Sequence, residues 1–584
     1  MSRAESQRPH TRVDKTWEIR EPDAEQVDAL REALGLDPLV ATLLANRGIV
    51  DLDEARAFLD PRLSALPDPF LMKGMEAAVG RVLRAIDDGE MICVWGDYDV
   101  DGVTSASQVV KFFEAAGLPI EWFVPDRFTD GYGLNGDRLP ELRERGVDLL
   151  ITVDCGITSV REVEVARALG MEVVIIDHHQ VPPTLPAAAA VLDPIQVGCE
   201  FPDKRLAACG VTFMFLVALR SRLRDRGSFE GKVEPDLRRW LDLTAIGTVA
   251  DMVPLLGVNR VIVHHGLLQM ARTDWPGVRA LCRVAGVAPE DVNAGRIGFH
   301  LGPRINAAGR VAHASAGIEL LTTGDEAVAE AIAREVDDHN AERRALQDDV
   351  FRAACEQADQ HPDPEARRSV VLAGEGWHPG VLGIVASKLV ERYHRPTIVM
   401  TIEEGTAKGS ARSIPGFRLV EHLRTLEAHL TKYGGHDHAA GLALPAEGLR
   451  AFMDAFETAA RDGLEPRHLQ PRLRIDTVAP LDLLTRELVE TLARLGPYGM
   501  GNPEPSLVAL GVPVIEARPV GADQTHLKLT LDGGRYPIDG IAFGMADLMP
   551  MPGDRVDVVY IPEINVFRGQ ERLQIRVKAM RPTA

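Results

Sequence analysis

Short apolar runs rich in β-branched residues alternate with helical segments over residues 91–180. MICVW, DLLITV and MEVVII are three such runs, and helical spacing of apolar residues separates them. This alternation is typical of a parallel sheet with helices on both faces. It returns near Arg368 with SVVLAGEG, TIVMT and GSARS, which predicts a second, smaller α/β domain.

Helical patterns flank these two regions. Residues 25–90 indicate short helices broken by prolines, and helices dominate again from about Cys209 to Asp363. The last of them, starting at GDEAVAEAIARE, is long enough to join two bodies. From about Leu473 short alternating strands such as HLKLTLDGG and RLQIRVKAM predict a small barrel.

The expected fold class is α/β, with a parallel-sheet domain, a smaller α/β domain reached by a long helix, and a C-terminal β-barrel. The predicted domains are an N-terminal helical region (1–75), the parallel-sheet domain (76–265), a helical segment with the long connecting helix (266–365), the smaller α/β domain (366–465) and the barrel (466–584).

Composition and charge narrow the functional classes. The 584 residues are 45% hydrophobic and 26% charged, as in ordinary globular proteins. The net charge is −21, and about −20 lies before Pro471, because the remainder holds 13 basic and 14 acidic residues. This argues against bulk attraction to nucleic acid and favours carboxylates gathered around cations. With no apolar signal region, no apolar run of 18 residues and six cysteines without a CxxC pair, we expect a cytoplasmic protein with reduced thiols.

Acidic or imidazole side chains follow each of the three strands in the first region. MICVW leads into GDYDVDG (96–102), DLLITV into DCG (154–156) and MEVVII into DHH (177–179). The carboxyl ends of parallel strands meet at one edge of a sheet, where ligands collect. Carboxylates crowded there would repel one another unless divalent cations lay between them. The sequence therefore predicts a metal centre at this edge.

Carboxylates with one or two imidazoles and no thiolate favour Mn²⁺ or Mg²⁺ over zinc or copper. Asp97, Asp99 and Asp101, on a tight turn that we expect Gly102 to close, can aim at more than one ion. Two ions bridged by one carboxylate promote in-line attack on phosphorus. Asp154, whose strand we expect between the other two, is the predicted bridge.

Asp251, at the end of the apolar segment LTAIGTVADMVP, is a further candidate ligand. Taken singly, Asp97 and Asp251 fit a helix N-cap or a turn about as well, and a lone His179 more often has a structural role. Capping does not predict such groups at three strand ends together, so the metal hypothesis is favoured.

These segments resemble the DHH phosphoesterase superfamily, named for the triplet Asp177-His178-His179, and within it the RecJ family of single-stranded-DNA-specific exonucleases. The resemblance covers nearly the whole chain through an ordered set of motifs: GDYDVDGVTS (96–105), PDRFTDGYGL (125–134), VDCGI (153–157), IDHH (176–179), TVADMVPL (248–255), GPRINAAGR (302–310), GWHPGVLGIVASKL (376–389), GSARS (409–413), GGHDHAAG (434–441) and GPYGMGNPEP (496–505). It implies a DHH domain, a DHHA1-type accessory domain and an OB-fold barrel.

The resemblance implies two Mn²⁺ or Mg²⁺ ions held by five side chains: Asp99, Asp101, Asp154, His178 and Asp251. Asp154 would bridge the ions, and His179 would touch the scissile phosphate. Many superfamily members carry a histidine where this chain has Trp95, which leaves Asp97 or a water to complete one ligand set.

Arginines beside glycine or small residues can bind a phosphate through two hydrogen bonds, although surface ion pairing is the commoner use of a lone arginine. The residues expected to bind substrate are Arg127, Tyr132, Arg304, Asn306, Arg310, Ser410, Arg412, Gly435 and His436. The resemblance implies that several of them hold the 5′ phosphate and that Tyr132 stacks on a base. The glycine-rich segment 434–441 fits either close approach to the nucleotide backbone or a tight structural turn.

Strand alternation in RLQIRVKAM puts Arg572, Gln574, Arg576 and Lys578 on one face of the barrel. A basic face suits an OB fold that tracks single-stranded DNA, and a solvated edge strand would show the same pattern.

The resemblance implies an exonuclease that degrades single-stranded DNA from the 5′ end to mononucleotides in repair and recombination. The implied partners are a single-strand-binding protein and a RecQ-type helicase, and the implied state is a monomer without membrane association. One alternative is a DHH phosphodiesterase of pyrophosphate, cyclic dinucleotides or short oligonucleotides, which the barrel and helical scaffold disfavour. The other is a non-catalytic replication scaffold, which the intact aspartates and DHH triplet disfavour.

Overall fold

The computed structural model describes residues 15–127, 129–131, 133–361, 363, 366–567 and 570–583. They form two compact units, one containing the residues up to Glu18 with Asn340–Arg474, and the other containing Ile19–His339 with the residues from Ile475 onward. None of the helices in this described part combines the length and apolar character needed to cross a bilayer.

Helices outnumber strands in the first part of the chain. The strands are β1 (Thr16–Ile19), β2 (Met91–Gly96), β3 (Glu121–Phe123), β4 (Val147–Val153), β5 (Glu172–Ile176) and β6 (Ala190–Leu192). The helices are α1 (Ala24–Leu34), α2 (Pro38–Asn46), α3 (Leu52–Leu59), α4 (Met75–Asp88), α5 (Val100–Ala116), α6 (Leu139–Glu144), α7 (Val160–Ala168), α8 (Ala208–Asp225), α9 (Leu241–Ala250), α10 (Gly257–Met270), α11 (Pro276–Val284), α12 (Ala294–Arg296), α13 (Gly302–Val311), α14 (Ser315–Thr322) and α15 (Glu326–Asp359).

The first sheet is parallel throughout, in the order β3-β2-β4-β5-β6. Alternate residues of each strand face opposite sides, so Ile92 and Val94 join a core with α4, α5 and α8. Cys93 and Trp95 join a second core with α6 and α7. Helices therefore cover both faces, as the continuous apolar strands predicted.

The N-terminal helices and the C-terminal barrel share one hydrophobic core. Leu30, Leu43 and Phe58 of α1–α3 belong to the same buried cluster as Leu529 and Val558. Short helices offer too little apolar surface for a core of their own, which accounts for this packing. The sequence pattern separated the two regions and did not predict their common core.

The buried Arg260 guanidinium also fixes this packing. It donates to the carbonyl oxygens of Phe58 (2.8 Å), Leu495 (3.0 Å) and Arg494 (3.1 Å). One side chain of α10 therefore ties the N-terminal helices and the barrel region to the rest of their unit.

The main part of the smaller unit starts within the long helix α15, whose 34 residues match the predicted connecting helix. Its further elements are β7 (Val370–Glu375), α16 (Leu382–Tyr393), β8 (Thr397–Glu403), β9 (Thr406–Arg412), α17 (Leu419–Thr425), β10 (Lys432–Gly435), β11 (Ala439–Pro445), α18 (Leu449–Gly463) and β12 (Arg472–Ile475). The sheet order is β10-β11-β9-β8-β7, and only β7 and β8 of these strands run parallel. This is the predicted second α/β domain.

The remaining elements are β13 (Thr477–Val478), α19 (Arg486–Ala493), β14 (Leu507–Val520), β15 (His526–Asp532), β16 (Pro537–Ala542), β17 (Arg555–Phe567) and β18 (Gln570–Pro582). Neighbouring strands follow the order β14-β15-β16-β18-β17, and β14 pairs back with β17. Five strands thus close a barrel with the strand order of an OB fold, which confirms the predicted barrel.

Candidate metal centre

The strand order brings the predicted acidic residues to one edge of the parallel sheet. β4 lies between β2 and β5, which confirms the predicted central position of the strand before Asp154. Asp97, Asp154 and His178 follow the carboxyl ends of these three strands directly or within two residues. Parallel topology alone therefore explains why residues distant in sequence meet here.

His178 lies at the centre of the cluster. Its Nε2 atom is 3.3 Å from Asp154 Oδ1, 3.7 Å from Asp251 Oδ2 and 3.8 Å from Asp101 Oδ2. Asp251 reaches this point from the C-terminal end of α9. Helix α9 can approach α5 closely because Gly247 has no side chain. A Cβ at Gly247 would lie 2.3 Å from Oγ1 of Thr104 in α5.

Three groups of side chains have ligand atoms within 4.8 Å of one another, the distance range of a shared metal ion. They are Asp101, His178 and Asp251; Asp154, His178 and His179; and Asp97, Asp99 and Asp154. Asp154 and His178 each belong to two groups, and of these two side chains the carboxylate has two oxygens with which to bridge two ions. The donors are hard oxygens with imidazole nitrogens, which suits Mn²⁺ or Mg²⁺.

Unpartnered buried atoms support this fit. Within the described residues, Asp97 Oδ1, His178 Nε2 and Asp251 Oδ2 are buried without a hydrogen-bond partner. A buried polar atom left without a partner costs about 1–3 kcal/mol, so three in one cluster indicate a missing ligand. Divalent cations held by these ligand groups would satisfy all three atoms, so the residues fit the metal centre that the sequence predicted.

Asp101 is held by the N-terminal end of α8. Its carboxylate accepts hydrogen bonds from the backbone nitrogens of Ala208 (2.7 Å) and Cys209 (2.8 Å). These nitrogens are unpaired within their own helix, and the helix dipole favours an anion there. A segment 107 residues away in sequence thus orients one candidate ligand.

The tight turn expected around Asp99 is wrong, because α5 already begins at Val100. Asp99 is the N-cap and accepts from the nitrogens of Asp101 (2.9 Å) and Gly102 (3.1 Å), so capping and ligand geometry coexist. Gly102 lies in the first turn and is required there, since a Cβ would be 2.5 Å from the Asp97 carbonyl oxygen.

Asp154 has a left-handed backbone conformation, with φ of 62°. This is uncommon for a residue other than glycine, and such strain is often found at functional sites. The Asp154 nitrogen donates to the Ile176 carbonyl oxygen at 3.0 Å, which holds the end of β4 against β5. The unusual φ therefore sets the direction of the predicted bridging carboxylate.

Asp177, the first residue of the DHH triplet, orients the two histidines. Its carboxylate accepts from the nitrogens of Ile157 (3.0 Å), His178 (2.8 Å) and His179 (3.2 Å), and its Oδ1 is 2.7 Å from His179 Nδ1. Sequence reasoning did not include Asp177 among the site residues. Its place directly before two candidate histidines was the available signal, because ligating histidines commonly bond a carboxylate through the second ring nitrogen.

The electrostatics of the cluster reflect crowded, buried carboxyls. Burial raises the pKa of Asp97 and Asp154, and neighbouring aspartates raise it further. Burial and the charges of Asp101 and Asp99 raise the pKa of Asp251 to about 9. Burial acts to lower the pKa of His179, but its hydrogen bond to Asp177 and nearby carboxylates raise it to about 9. Bound cations would therefore stabilise the ionised carboxylates of this cluster.

Trp95 cannot replace the superfamily histidine as a ligand. Its ring is fully buried in the core formed with α6 and α7 and stacks on Phe123 with centroids 4.3 Å apart. Asp97, which lies in a ligand group with Asp99 and Asp154, is the described residue best placed to complete that ligand set.

The predicted substrate residues of the larger unit have different surroundings. The Arg127 guanidinium lies 5.0 Å from the centroid of the Tyr98 ring. Arg310 lies close enough to Tyr98 to act electrostatically on its hydroxyl. Asn306 accepts a hydrogen bond from the Val100 nitrogen at 3.2 Å, so it contacts the start of α5. Tyr132, predicted to stack on a base, lies outside the described residues.

Arg304 does not match the expectation of a phosphate-facing side chain. It is buried, lies 2.9 Å from Asp337 and donates to the carbonyl oxygens of His300 and Val284. A guanidinium engaged on three sides within the protein stabilises local structure. The Asp337 partner, from α15, could not be assigned from the motif alone.

The predicted substrate residues of the smaller unit lie on its sheet. Ser410 and Arg412 lie on β9, and the Arg412 guanidinium is close to Gly383 at the start of α16, where a Cβ would be 2.9 Å from it. Gly435 and His436 lie at the hairpin between β10 and β11, with the His436 nitrogen donating to Ala439 O at 2.7 Å. The structural-turn alternative therefore describes this segment, and its contact with nucleotides stays a prediction.

The basic barrel face predicted from RLQIRVKAM is neutralised at Arg576. Arg576 lies 2.6 Å from Glu504 and 3.3 Å from Glu563, and Gln574 is buried and donates to Glu563 at 2.6 Å. Arg572 and Lys578 donate to the neutral side chains of Gln570 and Ser506, so binding of single-stranded DNA by this face stays a prediction.

Known proteins similar to this chain cover its whole architecture. Family models match at residues 91–248 (DHH family, N-terminal domain), 367–462 (DHHA1 domain) and 475–579 (RecJ OB domain). The single-stranded-DNA-specific exonuclease RecJ of Bacillus subtilis is 38% identical over 96% of this chain and 70% of its own length. The Escherichia coli protein of the same name is 37% identical over 94% of this chain and 96% of its own length.

Solved structures agree with this result. The crystal structure of RecJ in complex with Mn²⁺ from Thermus thermophilus matches with a TM-score of 0.83 and 33% identity, over 97% of this chain and 80% of that chain. The sequence relatives, the domain models and the fold all identify the same proteins. The chain therefore belongs to the RecJ family of single-stranded-DNA-specific exonucleases.

Proposed function

We propose that this protein is a metal-dependent exonuclease that degrades single-stranded DNA from the 5′ end to mononucleotides. The observation that carries the proposal is the cluster that includes His178, where buried, unpartnered ligand atoms of three side chains accompany three further aspartates. The RecJ relatives are named as single-stranded-DNA-specific exonucleases, and solved RecJ structures contain Mn²⁺ or Mg²⁺.

The proposed division of roles follows the geometry. The residues that would hold two divalent ions are Asp97, Asp99, Asp101, Asp154, His178 and Asp251. When bound, such ions supply Lewis acidity to the attacking water and to the leaving 3′ oxygen. His179, whose Nδ1 atom lies 2.7 Å from Asp177 Oδ1, would contact an oxygen of the scissile phosphate.

Substrate binding is assigned to both units. Arg127 and Arg310 lie near the aspartate segment, whereas Ser410 and Arg412 lie on β9 of the smaller unit, with the Arg412 guanidinium close to the start of α16. The guanidinium of Arg412 has no carboxylate within 4.0 Å among the residues with described positions, which leaves it available for a phosphate. A monomer acting in the cytoplasm with a single-strand-binding protein and a RecQ-type helicase belongs to the same proposal, on the strength of family membership.

The test is digestion of a 30-residue oligonucleotide by the purified full-length protein. With Mn²⁺, a 5′ label should appear at once as mononucleotide, whereas a 3′ label should remain on progressively shorter strands. A chelator and Asp154→Asn should each abolish both patterns, and the matched duplex should resist. Asn tolerates the left-handed backbone at this position, so the variant removes charge without forcing a new fold.

Two results would contradict the proposal. Intact DNA in Mn²⁺ from a folded, Mn²⁺-binding protein would favour a non-catalytic scaffold. Hydrolysis of pyrophosphate, cyclic dinucleotides or dinucleotides without digestion of the 30-residue strand would favour the small-substrate phosphodiesterase.

A further inference from the structure

Tyr98 lies in sequence between Asp97 and Asp99, two candidate metal ligands, and is not itself a predicted ligand. Its ring carries the guanidinium of Arg127, whose Cζ lies 5.0 Å from the ring centroid. An arginine at this distance over a tyrosine face is stabilised by the ring quadrupole. Among the residues that the structure describes, no carboxylate comes within 4.0 Å of this guanidinium, so the ring is its main described partner.

Helix α13 fixes the backbone from which the Tyr98 ring extends. A Cβ on Gly309 would lie 2.8 Å from the Tyr98 carbonyl oxygen and 3.5 Å from Tyr98 Cβ, so this helix packs directly on the Tyr98 backbone. Asn306 of the same helix accepts from the Val100 nitrogen at 3.2 Å. The ring also packs against the main hydrophobic core. Tyr98 is therefore a rigid support, whereas arginine has a long and flexible stem.

Four charged side chains act electrostatically on the Tyr98 hydroxyl: Asp97 and Asp99 from its own segment, and Arg127 and Arg310 from elsewhere in the chain. The contact that the structure shows for the Arg127 guanidinium is with the ring of Tyr98.

We propose that Tyr98 is a positioning residue whose ring face holds the Arg127 guanidinium in the orientation that binds the terminal phosphate of single-stranded DNA. This inference rests on the proposed function. Tyr98 is the aromatic residue of the GDYDVDG segment, and it belongs neither to the predicted metal ligands nor to the predicted substrate-binding residues.

The test is a double-mutant cycle on the full-length protein with a 5′-phosphorylated oligonucleotide. Tyr98→Leu should raise KM by about 3- to 10-fold with kcat changed less than twofold, because a cation–π contact is lost while the ligands remain. Tyr98→Phe keeps the ring face and should stay within about twofold of the parent protein. In an Arg127→Gln background, Tyr98→Leu should add less than a further twofold, because its target is already gone.

Binding of the same oligonucleotide in chelator, followed by fluorescence anisotropy, repeats the cycle without catalysis. Equal effects of Tyr98→Leu with and without Arg127, or a Tyr98→Phe as impaired as Tyr98→Leu, would overturn the inference. A loss of kcat at constant KM would do the same, because it would place Tyr98 in support of the metal ligands. If Tyr98→Leu melts well below the parent, Tyr98→Met replaces it in the cycle.

The two proposals can fail separately. If the protein digests DNA in Mn²⁺ but the double-mutant cycle shows no coupling between Tyr98 and Arg127 in binding, only the role of Tyr98 is overturned. Absence of digestion with a coupled binding cycle overturns the nuclease and leaves Tyr98 as the support of a phosphate-binding arginine. Absence of both digestion and binding overturns both.

Discussion

Replacing Gly102 with alanine separates local helix propensity from tertiary packing. Gly102 lies in the first turn of α5, where alanine is intrinsically favoured over glycine by about 1 kcal/mol. A Cβ at this position, however, would lie 2.5, 2.6 and 2.7 Å from the O, N and C atoms of the Asp97 backbone. Because these neighbours are backbone atoms, no side-chain rotation can relieve the contact.

The size of the effect follows from these distances. Ordinary contact begins near 3.4 Å, so the start of α5 must move about 0.9 Å from the end of β2. Overpacking of this kind costs about 1–3 kcal/mol, which exceeds or cancels the gain in propensity. The same shift displaces Asp99 and Asp101 relative to Asp154, and a displacement near 1 Å at a reacting centre costs about 100-fold in rate.

The matched control is Gly80, inside α4, where a Cβ would meet no atom within 4 Å. Gly80→Ala should stabilise the protein by about 0.5–1 kcal/mol and leave digestion unchanged. Gly102→Ala should lower the free energy of unfolding by about 1–2 kcal/mol, measured by urea denaturation, and reduce kcat about 100-fold. If Gly102→Ala were stabilised like Gly80→Ala and stayed within threefold of the parent kcat, the close approach of α5 to β2 would not control the metal ligands.

Two further predictions concern buried carboxyls. Burial raises the pKa of Asp242 to about 7, so the folded protein keeps a proton that the unfolded chain releases near pH 4, and stability falls as pH rises from about 4 to 7. Asp242→Asn should remove about 4 kcal/mol of this pH dependence of the unfolding free energy. The variant should still fold, because the Thr273 hydroxyl, which donates to Asp242, can instead accept from the Asn amide. Parallel pH profiles of the unfolding free energy for the variant and the parent would contradict this prediction. Asp177→Asn should lower kcat about 10- to 100-fold at unchanged Mn²⁺ stoichiometry, because the amide cannot accept from both Ile157 and His179; an unchanged kcat would exclude an orienting role.

Local pattern was enough to predict the elements that build the site. A strand of the first sheet is buried on both faces and reads as a continuous apolar run, and parallel connections bring all carboxyl ends to one edge. Asp99, Asp154 and His178 could therefore be placed together from the chain alone. Their individual backbone states could not, because the helical start at Val100 and the left-handed φ of Asp154 depend on packing between elements.

Side-chain partners were the main source of error. Arg304 and Arg576 look equally available in the sequence, yet Asp337 pairs with the first and Glu504 and Glu563 with the second. These acids lie 13 to 72 residues away from their arginines in sequence, and nothing in a local motif marks which charge will meet which. A guanidinium is free or neutralised according to the chain that packs beside it.

The periodic placement of apolar residues and the chemistry at strand ends were therefore readable from the linear chain, because both depend on neighbours only a few positions apart. Three features depend on the tertiary structure. They are the hydrogen bonds from α8 to Asp101, the contact of Asp251 with His178, and the common core of the N-terminal helices and the barrel. Each of these joins segments more than 70 residues apart, where the geometry is set by how whole elements pack and not by the residues adjacent in sequence.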